Sequence, residues 1–306
     1  MPLSPQAQAI IDNLFLTEYK KPFSEEAPFA ALVEAMGEAQ KHAWQMPPFV
    51  GEAVSVHETR LAEEARVFSL SPKDPAQASD KQVLYFHGGA FLLNIMDTQC
   101  ALAVHLVEMT GCTVHLLEYP LAPTCTHKET YRAMMDSYRW ALARCAPENL
   151  VLLGDSVGAH MVIAAAQLAL QQGLPQPTQI VALSPWIDFG NFLPGKAELE
   201  SGDPVIGMVS LLGIPRVWCG PVMHDKACPP NLQYGPFEGM APVYIQVGST
   251  EVLSIDALEL QRLIEQAGGS VELEVGEGLW HTYALYDTMP EGMEAVERIA
   301  QHIQGA

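Results

Sequence analysis

The pentapeptide Gly154-Asp155-Ser156-Val157-Gly158 sets a serine hydroxyl between two glycines. Ahead of it runs Leu150-Val151-Leu152-Leu153, apolar and short enough for a buried strand. Behind it, Val157-Gly158-Ala159-His160-Met161-Val162-Ile163-Ala164-Ala165-Ala166 reads as a helix apolar on most of its surface. A serine on so sharp a strand-to-helix turn needs small neighbours, because strand and helix backbone approach where a Cβ would collide. Such a turn lifts the hydroxyl clear of the sheet and aims a helix N-terminus at whatever binds there. The chemistry it suits is nucleophilic attack. The competing reading is a tight turn carrying a solvated serine, and the other motifs weigh against it.

A serine hydroxyl is a poor nucleophile until a base takes its proton, so the elbow predicts a histidine held by a carboxylate, both C-terminal to the serine. The histidines there are His160, His224, His281 and His302. His160 lies one turn along the buried helix and points away from the elbow tip. His224 falls in an irregular stretch, and His302 on the terminal helix. His281, in Gly278-Leu279-Trp280-His281-Thr282-Tyr283, follows the last strand at the sheet edge where site residues collect, and is the expected general base. Two residues compete as the acid. Glu251 lies just past a strand over 243–247, where its carboxylate could reach the far nitrogen of His281. Asp256 falls in the first turn of the following helix, where the dipole favours an acid in any case. Glu251 is preferred; Asp188 is a distant third and fits a loop cap better. An oxyanion would need backbone donors: the N–H of Val157, and others from His87-Gly88-Gly89-Ala90, whose glycines let the backbone turn its N–H groups inward.

The elements that must position these residues alternate in type. Two amphipathic helices, around 5–16 and 29–36, come first, joined by the 22–28 region. A hairpin arm over 54–70 follows, then strands at 82–86 and 113–119 with a helix at 100–110 between them. A helix over about 127–145 leads into the elbow strand. Beyond the elbow helix come a strand at 180–183, a stretch over 189–236 with no clear strand, a strand at 243–247, a helix over about 254–267, a strand at 271–275 and a last helix over about 291–304. This is an α/β chain with a mostly parallel sheet covered on both faces.

At 306 residues, nearly half of them apolar, the chain suits one large α/β domain or two small ones. Its 16 basic and 36 acidic side chains leave a formal charge of −20, which argues against nucleic acid and anionic membrane surfaces. It also disfavours anionic substrates unless a local cation compensates. The cysteines, Cys100, Cys112, Cys125, Cys145, Cys219 and Cys228, are scattered, with no C-x-x-C pair and no histidine cluster at metal spacing. Residues 1–16 lack the basic and long apolar regions of a signal peptide, and no run has the length of a membrane span, so the expected location is cytoplasmic.

Together these residues resemble the hormone-sensitive-lipase-like branch of the α/β-hydrolases, the bacterial-type carboxylesterases. The resemblance covers nearly the whole chain and rests on His87-Gly88-Gly89-Ala90, Tyr119-Pro120-Leu121-Ala122-Pro123, Gly154-Asp155-Ser156-Val157-Gly158, Ser184-Pro185-Trp186-Ile187-Asp188 and Trp280-His281, in that order. It implies an α/β-hydrolase fold over 1–306, with a helical cap built from about 1–50 and 189–236. It implies a Ser156–Glu251–His281 triad, an oxyanion hole from the N–H groups of Gly88, Gly89 and Val157, and no metal or organic cofactor. His87 is expected to brace its loop and not to transfer protons. Ala90 replaces the family's usual glycine, Pro120 the usual arginine, and Glu251 stands where many members carry aspartate. The implied activity is hydrolysis of short- to medium-chain acyl esters of small molecules. Amide, formamide or lactone cleavage by the same triad, and ligand binding without catalysis, are the alternatives. Family members often pair through an edge strand and the last helix, but nothing in these residues decides for or against a homodimer.

Overall fold

The computed structural model describes residues 2–62, 65–226 and 230–306; Cys228 lies outside them. Eight strands form: β1 (Ser55–Ala62), β2 (Ala65–Ser71), β3 (Gln82–Phe86), β4 (Thr113–Glu118), β5 (Leu150–Asp155), β6 (Gln179–Leu183), β7 (Val243–Gly248) and β8 (Val271–Gly276). They make one sheet in the order β1-β2-β4-β3-β5-β6-β7-β8, antiparallel at the first two pairings and parallel thereafter. The helices are α1 (Pro5–Leu16), α2 (Lys21–Ser24), α3 (Glu26–Ala39), α4 (Pro48–Ala53), α5 (Asp97–Thr110), α6 (His127–Leu142), α7 (Val157–Gln172), α8 (Lys196–Leu199), α9 (Met208–Trp218), α10 (Ser254–Gln266) and α11 (Pro290–Gly305).

The central strands are buried on both faces, which is why they read as unbroken apolar runs and not as alternations. Along β3 the side chains still alternate in direction. Leu84 and Phe86 join the apolar cluster shared with α6, α7 and α10, while Val83 and Tyr85 join the one shared with α5 and α11. Parallel register brings the C-terminal ends together: Phe86 pairs with Gly154, Asp155 with Leu183, Leu183 with Gln246, and Gly248 with Gly276. The loops that follow β3, β5, β6, β7 and β8 therefore converge on one edge, and they carry His87, Ser156, Ser184, Glu251 and His281.

The N-terminal region holds more helix than expected, since α2 overlaps the start of the 22–28 connection and α4 precedes the hairpin. Between 189 and 236 the described residues contain short helices and a single bridge, Asp188 to Asn231, in place of a strand. Within that stretch α9 packs against α2 and α3. A Cβ on Gly207 would run into the backbone of Phe23 and Ser24, and one on Gly213 into the Phe29 ring. Phe91, from the loop after β3, stacks on Trp218 of α9 with ring centroids 3.7 Å apart. Underneath, the buried Lys196 pairs with Asp256 at 2.9 Å and Asp188 at 3.4 Å, pinning α8 to the start of α10.

Candidate active site

Ser156 joins β5 to α7 with φ 56° and ψ −119°, a strained conformation for a residue with a side chain. Its N–H donates to the Leu183 carbonyl at 2.8 Å, so the neighbouring strand holds the strained residue in place. The flanking glycines meet the steric requirement read from the sequence: a Cβ on Gly154 would collide with the Gly158 carbonyl, and one on Gly158 with the Phe86 carbonyl.

The Ser156 hydroxyl lies 2.9 Å from His281 Nε2, and His281 Nδ1 lies 2.5 Å from Glu251 Oε2. A carboxylate only accepts, so Nδ1 carries the proton and donates it to Glu251, leaving Nε2 bare toward the serine. Glu251 is fully buried, and its other oxygen accepts from Ser184 Oγ at 2.8 Å and from the Gly248 N–H at 2.7 Å. Ser184 Oγ in turn accepts from the Thr282 N–H at 3.0 Å, next to the histidine. Burial disfavours a charged His281 ring. The charge and hydrogen bond of Glu251, followed by the charges of Asp203 and Asp155, outweigh it and raise the ring above the ordinary value.

The other candidates lie elsewhere. Asp256 is buried with Lys196 and accepts the Ile187 and Asp188 N–H groups, each at 3.0 Å, so its oxygens face away from His281. Asp188 accepts the Phe192 and Leu193 N–H groups, which is loop capping. His160 is enclosed, with Nε2 2.6 Å from the Tyr131 hydroxyl and Nδ1 2.9 Å from the Trp186 carbonyl, and burial pushes it down to about 3. His87 places Nδ1 2.7 Å from the Gly88 carbonyl and stacks on Tyr119, whose hydroxyl donates to the His87 carbonyl at 2.7 Å. Burial pushes His87 down to about 4, so it stays neutral and braces the loop.

The oxyanion expectation needs one correction. The Gly88 N–H donates to Asp155 Oδ1 at 3.0 Å and cannot serve a substrate oxygen. Asp155 also accepts from Tyr85 OH at 2.7 Å and from Gln99 at 2.9 Å, so this carboxylate anchors the glycine loop beneath the site. Gly89 and Ala90 line the cavity in place of Gly88. Their N–H groups, and that of Val157, meet no acceptor among the described residues. Ala90 has φ 60°, so the residue that departs from the family's glycine occupies left-handed backbone.

Ser156 and His281 open into a cavity of about 270 Å³. Tyr19, from the turn between α1 and α2, and Phe23 of α2 come to it from the N-terminal region, and Val205, Ile206, Leu211 and Ile214 from the 189–236 stretch. Among the described residues no lysine or arginine lines it, while Asp97 and Asp155 do. Among the described residues no group of His, Cys, Asp or Glu is placed to hold a metal ion, and no helix is long and apolar enough to cross a membrane.

Sequence motifs singled out Ser156, Glu251 and His281, which the structure brings into one hydrogen-bonded chain, but they gave no role to Asp155, Ser184 or Asp203. The first two stand inside quoted motifs, one residue before the nucleophile and at the head of Ser184-Pro185-Trp186. Asp203 had no local signal at all.

Residues 83–285 match the family described as the α/β hydrolase fold. An esterase from Acinetobacter venetianus is 29% identical over 234 residues, spanning 74% of this chain and 76% of that protein. An acetyl-hydrolase from Streptomyces hygroscopicus is 29% identical over 227 residues, spanning 73% and 75% respectively. A solved esterase of the bacterial hormone-sensitive lipase family superimposes with a TM-score of 0.83 at 25% identity, covering 100% of this chain and 99% of that one.

Proposed function

The chain belongs to the α/β-hydrolase fold family, and from that membership we propose that it is a carboxylesterase cleaving short- to medium-chain acyl esters of uncharged small molecules through an acyl-enzyme on Ser156. The observation that carries the reading is the unbroken chain from Glu251 through His281 to the Ser156 hydroxyl, opening into a cavity walled mostly by apolar side chains.

Ser156 Oγ attacks the ester carbonyl while His281 Nε2 takes its proton, and Glu251 stabilises the imidazolium that forms. The carbonyl oxygen gains charge within reach of the N–H groups of Gly89, Ala90 and Val157, at the start of α7. On collapse, Nε2–H protonates the departing alcohol. Water then attacks the acyl-enzyme, giving its proton to Nε2. The second tetrahedral intermediate releases the acid and returns the proton to Ser156.

The N-terminal helices and the 189–236 stretch act as a cap in this reading, since residues from both wall the cavity opposite the sheet edge. A cavity of only about 270 Å³ favours short acyl chains, and a lining without cations among the described residues favours uncharged ones. Cys100, Cys112 and Cys145 carry free thiols, which supports a cytoplasmic location.

Initial rates on p-nitrophenyl esters from acetate to palmitate test the assignment. A maximum at short chains is expected, with Ser156→Ala folded and at least roughly 10⁴-fold slower. Retained turnover in that variant would sink the mechanism. Matched amides and lactones hydrolysed faster than the esters would replace the ester reading by its nearest rival.

A further inference from the structure

Asp203 belongs to no motif, yet it is fully buried beside the site. It lies in the 189–236 stretch between α8 and α9. Oδ2 accepts the N–H of Val252, the residue after Glu251, at 2.9 Å. Oδ1 accepts the N–H groups of Val205 at 2.8 Å and Ile206 at 2.9 Å. Val205 and Ile206 wall the cavity, and so does Leu253 on the same loop as Glu251. One carboxylate thus joins the loop carrying the triad acid to the part of the cap that an acyl chain would touch.

On the triad reading above, we infer that Asp203 is a positioning residue that holds the Glu251 loop and the Val205–Ile206 wall in one register, so that the base and the acyl pocket are aligned by a single side chain. Its charge also bears on His281. The ring faces Glu251 from the loop after β7, Asp203 from the cap, and Asp155 from the elbow, and all three carboxylates favour the protonated form. Burial pushes the Asp203 carboxyl above its ordinary range, opposed by its three N–H bonds and by His281. A carboxylate held against that cost, with no lysine or arginine paired to it among the described residues, acts through the backbone it organises and the histidine it faces.

Asp203→Asn removes the charge while leaving an oxygen for Val205 and Ile206. It is expected to lower kcat roughly tenfold to a hundredfold, through a misaligned base. The acidic limb of kcat/KM should move to lower pH, because His281 loses a negative neighbour. Asp203→Glu, which restores the charge, should return the limb toward the wild-type position even where kcat recovers only in part. A role in folding alone predicts a lower melting temperature with kcat per labelled serine unchanged and the limb unmoved, and that result would overturn the inference. Should neither variant fold, backbone amide shifts of Val205, Ile206 and Val252 can be followed in the wild-type protein against pH. A titration shared with the His281 ring supports the inference, and its absence overturns it. Wild-type protein that neither hydrolyses esters nor takes a fluorophosphonate on Ser156 would instead refute the esterase reading, a distinct outcome.

Discussion

The two walls of the cavity are built by opposite means. On the sheet side the candidate catalytic groups and the loop beside them are held by hydrogen bonds to backbone or buried side chains: Ser156 to Leu183, Glu251 to Gly248 and Ser184, the glycine loop to Asp155. Opposite it the wall is apolar side chains on α9 and its approach, kept in place by stacking of Trp218 on Phe91, by the buried Lys196 cluster and, behind Val205 and Ile206, by Asp203. Hydrogen bonds fix direction, which proton transfer requires. Apolar packing fixes volume, which selection of an acyl chain requires. Variants on the two walls should therefore fail differently.

The sharpest break falls on the sheet side. Glu251→Gln keeps the size of the side chain but offers His281 Nδ1 no anionic partner and permits the wrong tautomer. The expected loss is about 10⁴-fold in kcat with little change in KM, as found for the acid of serine triads in general. A variant retaining more than a tenth of wild-type kcat would show that the carboxylate does not orient the base, and the comparison would lose its first term.

A substitution on the cap wall should leave kcat for acetate esters nearly intact. Leu211→Ala enlarges the cavity, so the preference along the p-nitrophenyl series should shift toward longer chains. A change of roughly tenfold in relative kcat/KM is expected for the removal of a few methylene-sized contacts. Equal loss on every ester would mean that α9 supports the triad itself, and the division between walls would not hold.

That division also explains what could be read before any coordinates. The serine elbow, the histidine beside it and the strands that carry them were legible because each depends on local pattern: glycines around Ser156, apolar runs for the strands, a histidine after the last one. The oxyanion loop was half legible. Nothing in His87-Gly88-Gly89-Ala90 says which N–H groups face the cavity, since the answer lies in Asp155, 67 residues away along the chain from Gly88. Asp256 competed with Glu251 for the same reason: Lys196 and the Ile187 and Asp188 N–H groups, all distant from it in the chain, withdraw it from the site. The 1–50 and 189–236 stretches were the least legible. Two of their helices, α2 and α8, have four residues each, too few for periodicity to mark, and are set by packing on their neighbours.

The smallest effect concerns histidines, which the two kinds of environment push in opposite directions. His87 and His160, packed among aromatic rings without carboxylate partners, are pushed down by burial to about 4 and about 3 and stay neutral across the working range. His281 is equally enclosed, yet Glu251, Asp203 and Asp155 raise it above the ordinary 6.5. The base must be neutral to accept the serine proton, so kcat/KM should fall as pH drops through the raised value and level off above it. Because the two bracing histidines do not titrate there, the limb should have the slope of a single proton and lie above pH 6.5. A steeper limb would implicate a second group in the same window. A limb below the ordinary histidine value would mean that burial, and not the carboxylates, governs His281.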